Sequence, residues 1–212
     1  SFSEPASGNN CDISVVITGN EINDYFKVVL SAMSEIFPDL ADKTKHISHG
    51  MLRLPEGKMS SRTGDVITAE NLIEKVKEET RGDEIVAISA LKYSILKQSA
   101  GKDIVFDMKK SVSVEGDSGP YLLYTTVRVK SVLEKAKKEG IESSSENLDK
   151  VGELERILYR FPEIVKRSGE ELAPHYITVF LTQVASAFNS YYTNNVIVDK
   201  SNPNSHYRVL LV

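Results

Sequence analysis

The order of apolar and polar positions divides the chain into a short α/β part and a longer helical part. In "CDISVVITG", Ile13, Val15, Val16 and Ile17 form a compact apolar run closed by Gly19, the pattern of a buried strand. The next stretch, "NEINDYFKVVLSAMSEIF", spaces Ile22, Phe26, Val29, Leu30, Met33 and Phe37 by three or four, which predicts an amphipathic helix ended by Pro38. "HISHGMLRL" predicts a second extended segment, and the polar "EGKMSSRTGD" follows as a loop. Strand, helix, strand is the rhythm of a parallel sheet whose ligand sites lie at the carboxyl ends of the strands. The loop falls where such a site is expected.

After Val66 the pattern is helical. Thr68 is a candidate N-cap for "AENLIEKVKEE", and "DEIVAISALKYSILKQSA" keeps an apolar stripe through Ile85, Ile88, Leu91 and Ile95 up to Gly101. A short extended "DIVFDM" comes next. "GPYLLYTTVRVKSVLEKAKKEG" predicts a helix with Pro120 in its first turn and Gly140 beyond its end. The connector "IESSSENLD" has little to bury. Val151, Leu154, Ile157, Leu158 and Phe161 define another amphipathic face that Pro162 breaks or kinks. A long helix is predicted from about Glu170 to Tyr192, with Ile177, Phe180, Leu181, Val184 and Phe188 inward. "TNNVIVDKSNPNSHYR" reads as a polar loop, and "YRVLLV" opens a further apolar segment.

Composition changes this picture little. The 212 residues are 41% hydrophobic and 26% charged, as in ordinary globular proteins. No apolar run approaches the roughly 20 residues that span a bilayer, and the first residues lack a signal-peptide pattern, so a cytoplasmic location without membrane association is expected. Cys11 is the only cysteine, which leaves no internal disulfide and no cysteine metal site. No histidine and carboxylate set has metal spacing, so no structural metal is expected. The net charge of −4 argues against indiscriminate coating of nucleic acid. Arg128, Lys130, Lys135, Lys137 and Lys138 nevertheless crowd one stretch, readable as a solvated helix face or as a local polyanion contact.

The loop carries the candidate chemistry. A Walker cradle requires G-x-x-x-x-G-K-[ST]; here six residues separate Gly50 from Gly57, and Met59 stands where a hydroxyl is needed, so that reading fails. Lys58, Ser60, Ser61 and Arg62 between flexible glycines instead suit a mobile segment that closes on a triphosphate and stabilises charge during attack at the α-phosphorus. From the residues alone, an exposed polar loop remains the alternative.

"GKMSSR" resembles the KMSKS signature of class I aminoacyl-tRNA synthetases, and "HISHGMLRLPEGKMSSRTGDVITAENLI" resembles the corresponding segment of arginyl-tRNA synthetases. "ISALKYSILKQSAGKDIVFDM" is similar to the stretch around that family's Asp-Ala-Leu-Arg motif, "GDSGPYLLYTTVRVKSVLEKA" to its tyrosine-rich helix, and "FPEIVKRSGEELAPHYITVFLTQVASAFNSYY" to its anticodon-binding helices. Four blocks in order cover nearly the whole chain. Ser61 occupies the place of the signature's second lysine, leaving Lys58 and Arg62 as the cations, and Ser89 and Lys92 replace the aspartate and arginine of Asp-Ala-Leu-Arg. The family's His-Ile-Gly-His signature and arginine pocket are absent; His46 and His49 in "HISH" do not supply it.

The resemblance implies the C-terminal portion of a Rossmann-like class I catalytic domain joined to a helical-bundle anticodon-binding domain, an α/β part followed by a mainly α part. The implied boundaries are 1–67 for the catalytic half with its loop, 68–112 for a helical linking region, and 113–212 for an anticodon domain truncated at its C-terminus. It implies an arginine–tRNA ligase that uses ATP with Mg²⁺, arginine and tRNA(Arg), monomeric when intact, with this piece alone inactive. The implied catalytic residues are Lys58, Ser60, Ser61 and Arg62, and the nucleotide contacts are Gly19, Glu21, His49, Gly50, Met51, Gly57 and Met59. Aromatics beside amides suit the reading of single-stranded loops. Tyr191, Tyr192 and Asn195 are therefore expected to meet tRNA, one of the tyrosines being buried, with Lys130 and Lys137 on phosphates. The alternative is a non-catalytic tRNA- or RNA-binding module built from synthetase parts.

Overall fold

A computed structural model describes residues 11–55, 68–145 and 151–212. The chain is mainly helical with few strands, and it divides into two compact units, residues 1–53 with 100–104 and residues 54–99 with 105–212.

In the first unit, β1 (Ser14–Gly19) leads through a 3-10 turn (Asn20–Ile22) into α1 (Asn23–Ile36), then α2 (Pro38–Lys43) and β2 (Thr44–His49). β1 and β2 pair in parallel from Ser14 opposite Thr44 to Gly19 opposite His49. α1 ends just before Pro38, but the fixed φ of Pro38 also makes it the first residue of α2. The extended segment predicted over 46–54 is broken at Gly50 into β2 and β3 (Leu52–Arg53), the latter paired with β4 (Ile104–Val105). A Cβ on Gly50 would lie 2.2 Å from the Lys102 carbonyl, so only glycine allows this close passage. The predicted burial of β1 is not observed: Ile13, Val15 and Ile17 alternate on one face and remain 51%, 41% and 66% exposed. The apolar run specifies a strand, but a parallel strand is buried only when both sheet faces are covered. His46 ties strand to helix, its ring stacked 4.1 Å from Phe26 and its Nε2 2.7 Å from the Thr18 hydroxyl.

In the second unit, α3 (Ala69–Glu79) is capped by the predicted Thr68, whose hydroxyl accepts from Asn71 N–H at 3.2 Å. Asp83 caps α4 (Glu84–Leu96) in the same way. After α5 (Met108–Ser111) comes α6 (Gly119–Glu139), with Ser118 at its N-cap, Pro120 in its first turn and Gly140 at φ +71° closing its end. α7 (Glu153–Tyr159) and α8 (Phe161–Glu170) meet at Arg160, because Pro162 is accepted in the first turn of a new helix but not inside a continuing one. The long helix predicted from about Glu170 to Tyr192 starts later: α8 ends at Glu170, the chain turns through Leu172 at φ +51°, and α9 runs His175–Asn194. The polar loop predicted over 193–208 also needs correction. It buries Ile197 and Val198 and forms α10 (Ser205–Leu210), its start held by the Ser205 hydroxyl donating to Asp199 O at 2.7 Å.

Packing explains the arrangement. Ala87, Ala90 and Leu91 of α4 are buried, and α4 approaches the start of α6 so closely that a Cβ on Gly119 would sit 2.0 Å from Ser89 O. Val132 and Ala136 of α6 form one apolar cluster with Ile141, Ile197, Val198 and Val209, while Leu154, Ala187 and Phe188 form another. These clusters fix α6 against α9 and set which residues face each other across the helix pair.

Candidate functional site

The carboxyl ends of β1 and β2 bring five of the proposed nucleotide residues together. Gly19 and His49 are register partners, and Glu21 lies over Gly19 so closely that a Cβ there would be 2.1 Å from its Oε2. Asn20 Nδ2 donates to Gly101 O at 3.3 Å, and exposed His49 has Nδ1 3.0 Å from Gly50 O. Met51, itself exposed, is held by its backbone: its N–H donates to Asp103 Oδ1 at 2.9 Å and its carbonyl accepts from Ile104 N–H at 2.9 Å. Asp103, which the sequence did not single out, also pairs with Arg53 at 2.7 Å and so serves to hold the turn. A glycine strand end with an exposed imidazole and a carboxylate beside it offers a flat approach and directional hydrogen bonds to a heterocycle. Gly57, Lys58, Met59, Ser60, Ser61 and Arg62 lie outside the described residues.

A second constellation lies on α6 and α9. The Arg128 guanidinium stands 4.6 Å from the ring centre of Tyr124 and 4.7 Å from that of Tyr192, so both tyrosines present their faces to one cation. Arg128 donates to Asn189 Oδ1 and to the Tyr124 hydroxyl. Asn189 Nδ2 in turn donates to the Tyr121 hydroxyl at 3.0 Å and to Thr125 Oγ1 at 2.8 Å. Tyr121, Tyr124 and Arg128 recur at three and four residues, so helical geometry gathers them on one face of α6, and Asn189 reaches them from α9. A planar cation, two rings and a locked amide form a ready platform for an unpaired base.

The proposed RNA residues separate around this platform. Tyr192 is part of it and is 40% exposed. Tyr191, one position earlier, is partly buried against both apolar clusters, and Asn195 Nδ2 donates to its carbonyl at 2.9 Å. Lys130 and Lys137 are exposed, but two residues beyond Arg128 and Lys135 is a little over half a helical turn, which puts them on the other side of α6. Tyr121, Tyr124, Arg128 and Asn189 were not singled out for this role in the sequence, although the i, i+3, i+7 spacing of the first three was a signal that could have found them.

A polar node ties α4 to α9 and to the segment just before α6. The Tyr93 hydroxyl donates to Asp117 and lies 2.6 Å from Thr182 Oγ1, while Lys97 pairs with Asp117 at 3.1 Å. Burial, then the adjacent Asp117 carboxylate, pushes the Tyr93 phenol up to about 12. For Asp117, burial acts upward, but the bonds from Tyr93 and Lys97 outweigh it and hold the carboxyl below its usual value. The His175 ring lies tilted against Tyr176, 4.2 Å between centres, at the start of α9, a packing role. Among the described residues no three His, Cys, Asp or Glu side chains are grouped to hold a metal, and no helix is long and apolar enough to cross a membrane.

Comparison with known proteins places these features. Residues 122–212, which contain the Tyr124–Arg128–Tyr192 platform, match the DALR anticodon binding domain. The wider chain is 33% identical to an arginine–tRNA ligase of Treponema denticola over 91% of its own length, and 31% identical to one from Borrelia hermsii over 93%. It spans only 37% and 38% of those relatives. The Thermus thermophilus arginyl-tRNA synthetase shares the fold with a TM-score of 0.76 at 24% identity, over 94% of this chain and 37% of that one. Residues 122–212 of the helical unit are thus similar to an anticodon-binding domain of the DALR class. The chain as a whole is related to the C-terminal part of arginyl-tRNA synthetases.

Proposed function

We propose that this chain is the part of an arginine–tRNA ligase that grips the anticodon of tRNA(Arg) and carries the residues that meet the ATP phosphates. The observation that carries the reading is the Tyr124–Arg128–Tyr192 platform, clamped by Asn189 within the residues that match the anticodon-binding family. Splayed anticodon bases stack on the tyrosine faces, and the guanidinium supplies charge for the neighbouring phosphate or a base edge. Lys130 and Lys137, on the far side of α6, contribute at most to the wider positive field.

In the complete enzyme the arginine carboxylate attacks the α-phosphorus of ATP, pyrophosphate leaves, and the terminal ribose hydroxyl of tRNA then takes the arginyl group from the adenylate, releasing AMP. Lys58 and Arg62 steady the phosphate charge with the Ser60 and Ser61 hydroxyls. Gly19, Glu21, His49, Gly50 and Met51 form the shelf for the nucleoside end. Magnesium arrives with ATP, held mainly by its phosphates. The reaction takes place in the cytoplasm.

The test is binding of the tRNA(Arg) anticodon stem-loop to the 212-residue chain. Tyr192→Ala removes one stacking face and is expected to cost about 1–3 kcal/mol, some 5- to 150-fold in affinity. Affinity within twofold of wild type for both Tyr192→Ala and Arg128→Ala would remove the platform from RNA recognition.

A further inference from the structure

We propose that Asp103 is a positioning residue for ATP activation, its carboxylate setting the strand that leads from the nucleoside shelf to the residues that meet the ATP phosphates; this rests on the reading of Lys58 and Arg62 as the cations at those phosphates. The chain leaves the first unit at Leu54 and re-enters it at Ala100, with α3 and α4 between. The returning residues hold the departing ones. Ile104 N–H donates to Met51 O at 2.9 Å, Asn20 Nδ2 reaches Gly101 O from the end of β1, and Gly50 passes against the Lys102 carbonyl.

Asp103 divides its two oxygens between two points of the departing strand. Oδ1 accepts from Met51 N–H at 2.9 Å, which fixes the last residue of the shelf, and Oδ2 pairs with the Arg53 guanidinium at 2.7 Å. One planar group therefore sets both the end of the shelf and the direction of β3. Lys58 is five residues beyond Arg53, so this anchor sets where the phosphate-binding residues begin. Stability alone does not call for the pair. The Arg53 and Asp103 side chains are 42% and 36% exposed, and an ion pair so open to water contributes little to folding. What it can supply is placement. Cations that stabilise charge in a transition state depend on their position, and a misplacement of roughly 1 Å costs on the order of 10²-fold in rate. Asp103 touches no part of the nucleotide in this role; it acts through Met51 and Arg53.

The experiment measures ATP–pyrophosphate exchange by the complete ligase with arginine, ATP and tRNA(Arg) present. Asp103→Asn keeps an acceptor for Met51 N–H but sets an amide NH₂ against the Arg53 guanidinium, so it should lower kcat about tenfold and leave KM for ATP within about twofold. Arg53→Met should reproduce that loss, and the double variant should lose no more than either single one, as two groups acting together do. Asp103→Ala, which also releases Met51, should raise KM for ATP in addition. Transfer of arginine from preformed adenylate to tRNA(Arg) no longer involves the triphosphate and should keep its wild-type rate in every variant. Lys58→Ala in the same assay separates the two readings. If Lys58→Ala lowers kcat while Asp103→Asn and Arg53→Met do not, Asp103 has no positioning role and the phosphate reading stands. If Lys58→Ala leaves kcat unchanged, both fall. An Asp103→Asn loss that appears equally in the transfer step also overturns the proposal, because the defect is then one of fold.

Discussion

Replacing Asn189 by alanine tests whether the platform is assembled before RNA arrives. The side chain makes three hydrogen bonds, to Arg128, to the Tyr121 hydroxyl and to Thr125 Oγ1. The two neutral bonds contribute about 1 kcal/mol each, and the charge-assisted one falls toward the low end of its range because Arg128 is only half-buried. Tyr121 is also half-buried and can turn its hydroxyl to water, so the summed loss is about 2–3 kcal/mol. At the slopes usual for urea, that lowers the unfolding midpoint by roughly 1 M. The functional consequence is separate. Without Asn189 the guanidinium is free to leave the space between Tyr124 and Tyr192, and anticodon stem-loop affinity should fall about tenfold, near 1.4 kcal/mol. Combining Asn189→Ala with Arg128→Ala gives the decisive comparison, since a residue that acts by orienting another shows a coupling of about 0.5–3 kcal/mol. The reasoning is refuted if the two effects on RNA affinity add to within about 0.3 kcal/mol, or if Asn189→Ala lowers stability and leaves affinity unchanged.

Other variants probe how the helices are held. Gly119→Ala drives a methyl to within 2.0 Å of Ser89 O, a backbone atom that cannot swing aside, so α4 and α6 must separate. The expected cost is about 2–3 kcal/mol in urea unfolding, and a gain in stability from the lost glycine would show that the close approach is not maintained. The polar node makes stability depend on pH at both ends. Tyr93 has its folded pKa raised to about 12, so its contribution is present below the ordinary tyrosine value near 10 and is lost as pH rises from there toward 12. Asp117 is depressed, so its contribution is present above the ordinary carboxylate range and is lost as pH falls below about 4 through the lowered folded value. Tyr93→Phe should therefore flatten the alkaline loss in urea midpoints measured between pH 9 and 11.5; an unchanged slope would mean that other tyrosines cause it. In the complete ligase, Lys58→Ala should slow adenylate formation far more than it weakens arginine binding, and an unaltered pyrophosphate-exchange rate would take Lys58 out of the mechanism.

Local sequence was enough wherever one residue type has one physical use. Thr68 and Gly140 mark helix ends because an acceptor at the N-cap and a left-handed residue after the last turn are needed there. The periodic apolar residues of α3, α6 and α9 specify helices before any partner is present. The order of motifs in the four blocks also pointed to the relatives that the chain is similar to.

Tertiary structure decided what depends on a second element. Val15 and Ile17 read as buried but are exposed, because a strand's apolar face is buried only by what packs on it. Ile197 and Val198 read as loop and are core, because two apolar residues have no period, and only their fit against Val132 and Ala136 defines them. Tyr191 and Tyr192 are identical as letters; which faces Arg128 and which faces Glu153 and Glu155 depends on how α9 is rotated against α6 and α7. Arg128 looked like one more charge in a basic run, and it became the centre of the platform only when α9 brought Asn189 and Tyr192 to it across 61 and 64 residues of chain. Periodicity records which face of an element is apolar; it carries no information about the residue that will stand opposite.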